Sequence, residues 1–387
     1  MKHNWEYKRL GEVCESISGL WIGKKPPFIK IGIIRNTNFT KQCTLNPKDI
    51  LYSDVEVKAF EKRKLKKGDI IIEKSGGSEK QPVGRAVLFN LDGDFSFSNF
   101  TATLRLTNKS LISSFLHKAL SSLYFMGTTR KMQSRTTGLY NLNWKAFLEL
   151  DIPIPPLSVQ EQIVAELDKI NEVIDDCKKL LSSLDSLAQS LFYDTFGDPV
   201  TNPKGWEIKT LKEVCILKSG DSSANRLPDG NIPYVKVGDM NLTENRRGII
   251  TSSNFVDIGN KTNLLFPIGT TIFPKRGGAI LTNKKRLTKV QICCDLNVMG
   301  AIPKDIHPIY LYFFFLEKDF SELVDGSTVP QINNTDIYPL KILVPPLPLQ
   351  EQFAKRIEAI EEQKMAVENI IATLKTLLDS RMDYWFN

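Results

Sequence analysis

Two stretches of this sequence set cationic, amide and hydroxyl side chains around a glycine pair. Gly68-Asp69-Ile70-Ile71-Ile72-Glu73-Lys74-Ser75-Gly76-Gly77 is followed by Ser78, Lys80 and Gln81. Gly269-Thr270-Thr271-Ile272-Phe273-Pro274-Lys275-Arg276-Gly277-Gly278 is followed by Lys284, Lys285 and Arg286. In each, a run of strand character feeds a loop with a free backbone and side chains that donate and accept hydrogen bonds. That combination suits phosphate grip and the reading of base edges. A second candidate segment is Arg130-Lys131-Met132-Gln133-Ser134-Arg135-Thr136-Thr137-Gly138, matched by residues 325–331 ending at Gln331. Arg35 with Asn36, Arg226, and Arg246 with Arg247 are weaker candidates, since a single surface cation is most often only solvated.

Residues for catalysis are sparse. Gly19-Leu20-Trp21-Ile22-Gly23-Lys24-Lys25 is one residue short of a phosphate loop between its glycines and lacks the hydroxyl that would bind magnesium. Glu56-Val57-Lys58, two residues after Asp54, has the order of a nuclease E-x-K. No acid precedes it at strand-to-strand spacing and the second half of the chain does not repeat it, so it reads as a solvated strand edge. There is no Asn-Pro-Pro-aromatic tetrapeptide for amino-methyl transfer and no G-x-G-x-x-G for a nucleotide cofactor. His3, His117 and His307 are the only histidines, and they do not fall at matching positions. The six cysteines form no C-x-x-C pair, which argues for reduced thiols rather than disulfides or zinc. The expectation is a chain without catalytic residues, metal or cofactor.

The loops that would do the binding must be held by a scaffold, and the scaffold is written twice. Trp5-Glu6-Tyr7-Lys8-Arg9-Leu10-Gly11-Glu12-Val13-Cys14 returns as Trp206-Glu207-Ile208-Lys209-Thr210-Leu211-Lys212-Glu213-Val214-Cys215, 201 residues on. Phe28-Ile29-Lys30-Ile31-Gly32 matches Tyr234-Val235-Lys236-Val237-Gly238, and the two glycine-pair stretches again lie 201 apart. Gly138-Leu139-Tyr140-Asn141-Leu142-Asn143 pairs with Thr328-Val329-Pro330-Gln331-Ile332-Asn333 at an offset of 190. Short β-branched runs at 29–34, 69–72, 86–89 and 101–106 between Gly, Asn and Asp turns read as strands. Residues 111–126 and 309–324 read as helices. Residues 152–156 and 342–346 read as a last extended segment, because Pro-Pro cannot donate ladder bonds. Each repeat is therefore expected to hold an α+β lobe.

A long helix closes each repeat. After Ile154-Pro155-Pro156-Leu157 the first runs without Gly or Pro, with Ile163, Leu167, Ile170, Ile174, Cys177, Leu181, Leu184, Ala188 and Leu191 at a strict 4, 3 spacing, the seam of a coiled coil. Ser158 with Glu161 reads as its capping box, and Phe196-Gly197-Asp198-Pro199 ends it. The second repeats the seam 190 residues on: Phe353, Ile357, Ile360, Lys364, Val367, Ile371, Leu374 and Leu378, interrupted only by Lys364. Matching seams in one chain are expected to pair with each other. The boundaries expected are 1–152 and 198–343 for the lobes, 153–197 and 344–387 for the helices.

Composition fits two such lobes. The chain has 387 residues, 42% hydrophobic and 25% charged, and its longest apolar run, 309–316, is too short to span a bilayer. The polar start does not look like a signal peptide, which with the cysteine usage points to the cytoplasm. The net charge of +7 hides an asymmetry: residues 159–196 carry −5 and 349–382 carry −1, leaving +13 elsewhere. Basic lobes on acidic helices favour a polyanionic partner.

Two unlike lobes, each ending in P-P-L-x-x-Q-E-Q and a heptad helix, resemble the DNA specificity (S) subunit of type I restriction–modification systems. The residues that carry the resemblance are Pro155-Pro156-Leu157-Ser158-Val159-Gln160-Glu161-Gln162, Pro345-Pro346-Leu347-Pro348-Leu349-Gln350-Glu351-Gln352, and the junction Phe196-Gly197-Asp198-Pro199 with Asn202-Pro203-Lys204-Gly205-Trp206. One departure is Pro348, where the first helix has Ser158. The resemblance implies two target recognition domains and an antiparallel two-helix coiled coil. It also implies a double-stranded DNA partner, two modification (methyltransferase) subunits and restriction (translocase–nuclease) subunits, with no S-adenosylmethionine or ATP site in this chain. Three alternatives stay open on the residues alone: a type IIB-like or other defence system, a catalytic nuclease or methyltransferase, and a coiled-coil scaffold.

Overall fold

β-Branched runs bounded by turn residues become short strands, and three of the sheets they form recur in both repeats. The computed structural model describes residues 4–21, 25–136, 138–222, 230–324 and 330–386. It divides into two units, residues 1–176 with 370–387, and residues 177–369. Both long helices run through this division.

The first lobe contains, in order, β1 (Glu6–Arg9), α1 (Leu10–Val13), β2 (Cys14–Ser18), β3 (Phe28–Ile34), β4 (Leu51–Glu56), α2 (Val57–Arg63), β5 (Ile70–Glu73), β6 (Ser75–Gly77), β7 (Ala86–Leu88), β8 (Phe95–Phe97), β9 (Thr101–Leu106), α3 (Ser113–Phe125), α4 (Thr128–Lys131), β10 (Gln133–Thr136), β11 (Leu139–Leu142), α5 (Trp144–Leu148) and β12 (Asp151–Ile154). Four sheets result, with strand orders β2-β9-β5-β7, β4-β3-β8, β10-β11-β6 and β1-β12. Strand β5 is central, and its alternation shows why Ile70-Ile71-Ile72 must be apolar throughout. Ile70 and Ile72 pack with Phe115, Leu116 and Leu120 of α3, while Ile71 packs with Val87, Phe89 and Phe97 on the other face.

After α6 (Leu157–Phe196) the second lobe follows with β13 (Glu207–Thr210), α7 (Leu211–Val214), β14 (Cys215–Ser219), β15 (Ile232–Val235), β16 (Phe255–Val256), β17 (Thr271–Pro274), β18 (Arg286–Leu287), β19 (Cys293–Cys294), β20 (Val298–Pro303), α8 (Pro308–Leu316), α9 (Asn334–Ile337) and β21 (Lys341–Val344), then α10 (Leu347–Phe386). Its sheets β14-β20-β17-β18, β16-β15-β19 and β13-β21 reproduce three of the four above, including the parallel pairs β3–β8 and β15–β19. The fold is thus α+β, two related lobes with two long helices. The helical expectation over 309–324 is corrected: α8 ends at Leu316, and a separate 3-10 turn, Phe320–Leu323, begins where the Asp319 carboxylate accepts from the Ser321 amide at 2.9 Å.

Within each unit the long helices pair antiparallel. In the first, Ile163 and Leu167 near the start of α6 share a core with Leu378, Met382, Trp385 and Phe386 at the end of α10, and Arg381 grips Glu166. In the second, Leu184, Ala188, Phe192 and Phe196 at the end of α6 pack with Phe353, Ala354, Ile357 and Ile360 at the start of α10. Lys364, the break in the seam, reaches the Asp185 carboxylate at 2.6 Å. The expected Ser158 cap is not what starts α6. Helical residues begin at Leu157, the Val159 and Gln160 amides bond to the Pro156 carbonyl at 2.9 and 3.0 Å, and Ser158 lies inside the first turn, as Pro348 does in α10. The other end follows the sequence: Gly197 takes a φ of +81° and its amide bonds to the Tyr193 carbonyl.

Candidate nucleic-acid interface

Each lobe brings its glycine-pair loop against the segment that follows its lobe helix, with the same backbone bonds. In the first lobe Leu142 N–H donates to the Lys74 carbonyl at 2.8 Å, and β11 lies along β6 with Asn141 opposite Ser75. In the second, Ile332 N–H donates to the Lys275 carbonyl at 2.9 Å and Arg276 bridges to Gln331. Gly76 and Gly277 hold equivalent left-handed positions, with φ of +91° and +79°. At Gly76 a Cβ would also come within 2.8 Å of the Asn36 amide nitrogen.

The side chains on this shared frame differ. In the first lobe the Ser75 hydroxyl donates to the Asn141 Oδ1, and Lys74 lies 5.9 Å from the Trp144 ring centroid. Asn36 donates to Glu73 Oε1 at 3.3 Å and to the Ser75 carbonyl at 3.5 Å, so the Arg35–Asn36 turn abuts the loop. Ser78 and Gln81 close a turn on each other, and the Val83 amide bonds to the Gln133 side chain at 3.4 Å, which ties that turn to β10. Lys80, Arg130, Lys131 and Arg135 are exposed, with Arg135 5.9 Å from the Tyr140 ring centroid. The candidates of the first lobe therefore form one neighbourhood around the sheet β10-β11-β6.

In the second lobe Lys275, Arg276 and Gln331 come together. Arg276 donates from Nε and Nη2 to Gln331 Oε1 at 3.1 and 2.8 Å, and Lys275 Nζ donates to Ser219 Oγ at 2.8 Å. Partial burial, with the Arg276 charge beside it, lowers the Lys275 pKa. Lys284 bonds the Asn241 side chain. Three expectations change. Lys285 is 1% exposed, donates to Asn283 Oδ1 and the Lys318 carbonyl at 2.5 Å each, and sits 4.3 Å from the Phe320 centroid, so it has no surface to offer a duplex. Arg246 pairs with Glu368 of α10 at 3.3 Å, beside Arg247, which reaches Glu368 at 2.9 Å and the Glu361 carbonyl at 2.8 Å. Arg286 is half-buried in β18 and donates to the Lys285 carbonyl. Arg226 lies outside the described residues.

The residue reasoning missed was Asn141, opposite Ser75. The signal was available, because the 190-residue offset that selects Gln331 selects Asn141 too. Asn333 and Ser219, which orient Gln331 and Lys275, carried no such signal.

Other reactive groups are locked away from this surface. His117 Nε2 lies 2.9 Å from the Cys43 carbonyl and 3.2 Å from that of Ala86; burial lowers its pKa to about 4 and keeps it neutral. Among the described residues the six cysteines are free, and burial raises Cys14 and Cys215 to about 12. Also among them, no cluster of three or more His, Cys, Asp or Glu could hold a metal, and no helix is long and apolar enough to cross a membrane.

The chain matches the family model of the type I restriction modification DNA specificity domain over residues 2–184 and 203–376. It belongs to that family. This specificity domain, duplicated here, serves DNA sequence specificity in type I restriction–modification. The chain is similar to the type I restriction enzyme MjaIX specificity subunit of Methanocaldococcus jannaschii, 24% identical over 67% of this chain and 66% of that subunit, just under two thirds of its length. It is also similar to the EcoKI specificity subunit of Escherichia coli K12, 24% identical over 92% of this chain and 80% of that one. In fold, these specificity domains match a chain from a structure addressing complex assembly and conformational transition of the type I R-M system. The TM-score is 0.65 at 20% identity, covering 99% of this chain and 97% of the other.

Proposed function

We propose that this chain reads a bipartite double-stranded DNA target, one half-site per lobe, and positions two modification (methyltransferase) subunits and the restriction (translocase–nuclease) subunits around it, in the cytoplasm, with no catalytic step of its own. One observation carries this reading: the two lobes hold their loops with the same backbone bonds, Leu142 to Lys74 and Ile332 to Lys275, while the side chains presented there differ. A duplicated frame with unlike polar faces suits two half-sites of different sequence. The +13 carried outside residues 159–196 and 349–382 supports a polyanionic partner. Methyl transfer to a base requires that base to leave the stack, a task for a partner's pocket.

The candidate contacts are Arg35, Lys74, Ser75, Ser78, Lys80, Gln81, Arg130, Lys131, Gln133 and Arg135 in the first lobe, with Lys275, Arg276, Lys284 and Gln331 in the second. The chain assembled with the modification subunits of a type I system, offered randomised duplexes, is expected to select two short motifs separated by an unread gap. A single uninterrupted motif, or none, would overturn the reading.

A further inference from the structure

The contrast between the two lobes at one matched position goes further than the sharing of a target. Arg276 is exposed, two residues beyond the end of β17 and one before the left-handed Gly277. Its Nε and Nη2 both donate to one oxygen, Gln331 Oε1. The Gln331 amide nitrogen donates in turn to Asn333 Oδ1 at 2.7 Å, which fixes which end of the Gln331 amide faces the arginine. Asn333 opens α9, where its own N–H donates to Asp336 Oδ2 at 2.7 Å. The guanidinium is thus held from behind through a relay anchored on a helix start. The edge formed by Nη1 and the second N–H of Nη2 makes no hydrogen bond among the described residues. Two parallel donors on a fixed plane match the O6 and N7 acceptors that guanine displays in the major groove. The same fork can also grip a phosphate, but only a base contact would make binding depend on guanine at one position. The corresponding residues of the first lobe, Ser75 and Asn141, present no cation at all.

We infer that Arg276 is the residue with which the second lobe reads a guanine, and that Gln331 and Asn333 are positioning residues for its guanidinium fork. This rests on the half-site reading above and names the base that one of the half-sites must contain.

The test uses the full chain assembled with modification subunits, comparing wild type with Arg276→Ala, Arg276→Lys and Gln331→Ala on duplexes varied across both half-sites. Wild type is expected to require guanine at one position of the second half-site. Arg276→Ala should lose roughly 5- to 150-fold of discrimination at that position, the range of one bidentate contact, while preferences in the first half-site stay as they are. Arg276→Lys keeps the charge without the fork and should not restore discrimination. Gln331→Ala should reduce it at that same position and leave the salt dependence of binding unchanged. A second half-site indifferent to guanine would overturn the assignment. So would an Arg276→Ala loss spread evenly over all sequences, or restoration by lysine. A wild-type complex that selects no two-part motif would overturn the half-site reading itself, and this assignment with it.

Discussion

Glu73 closes the central strand of the first lobe with its carboxylate fully enclosed, and Arg85 is its counter-charge, at 2.8 Å from Nε and 3.0 Å from Nη2. The same guanidinium donates to the Phe39 carbonyl at 2.6 Å and the Asn36 carbonyl at 3.2 Å, so one buried pair ties the Asn36 turn to the strand that leads into the reading loop. The second lobe has Pro274 where Glu73 stands, and Arg286, the counterpart of Arg85, is left with a buried Nε that has no hydrogen-bond acceptor. Arg85→Ala strands a buried carboxylate and should cost about 3–5 kcal/mol, measured by denaturant unfolding; a loss below about 1 kcal/mol would show that Glu73 is solvated in practice. Lys285 supplies a pH signature. Burial lowers its pKa from 10.5 to about 8, so between those values the unfolded chain holds a proton that the folded one has released. Stability should therefore rise with pH across about 8 to 10.5, the rise being absent below 8, where both states carry the charge. Lys285→Met should remove this component from unfolding curves taken at pH 7, 8.5 and 10; an unaltered pH profile would contradict it. The sequence could not separate Lys285 from Lys284. Neighbours in a loop carry the same local signal, and what buries one of them, Phe320 and the Lys318 carbonyl, arrives 33 residues later along the chain.

At the scale of elements, the repeated P-P-L-x-x-Q-E-Q turns out to contain a latch. Gln160 is fully buried. Its amide nitrogen donates to the Ser110 and Pro155 carbonyls at 2.7 and 2.8 Å, and its oxygen accepts from the Ile112 amide at 2.9 Å, at the start of α3. Gln350 does the same in the other repeat, donating to the Pro345 carbonyl at 2.7 Å and accepting from the His307 amide at 2.8 Å, at the start of α8. Each glutamine thus fastens a long helix to the shorter helix of its own lobe and satisfies backbone groups that Pro-Pro and a helix start would leave bare. Gln160→Ala or Gln350→Ala should destabilise its unit by about 1–3 kcal/mol, the penalty for a buried backbone group left unmatched; thermal unfolding within about 1 °C of wild type would rule the latch out. The helices themselves were legible because a heptad seam is a local pattern: Ile163, Leu167, Ile170, Ile174, Leu184 and Ala188 are all buried. The strands at 29–34 and 101–106 were legible for the same reason. Ser158 misled because a capping box is also local, whereas the partner that matters at this helix start, residue 112, is 48 residues upstream of Gln160. Strand order could not be read, since the parallel pairing of β3 with β8 depends on contacts about 60 residues apart.

For the whole molecule, the proposed reading makes helix length a determinant of the DNA target. Both helices are 40 residues without a break, and their seams match at an offset of 190. Seven residues added to each, after Lys179 and after Asn369, keep the 4, 3 seam in phase while lengthening each helix by about 10 Å at 1.5 Å per residue. That is about three base pairs at 3.4 Å each, so the preferred gap between half-sites should grow by about three. The twist of the two polymers does not match over this distance. A heptad turns an α-helix by only about −20° relative to its own repeat, whereas three base pairs turn the groove by roughly 100° at 10–10.5 pairs per turn. The lengthened chain should therefore bind its best target more weakly than wild type binds its own, and the weakening should lie in the gap rather than in either motif. Competition binding on a ladder of gap lengths measures both effects, and it should be run at two ionic strengths. Basic lobes that meet six or more phosphates would lose about a thousandfold in affinity between 50 and 200 mM salt, a loss the insertion should leave alone. A gap optimum that does not move on insertion would mean that something other than these two helices sets the distance between half-sites.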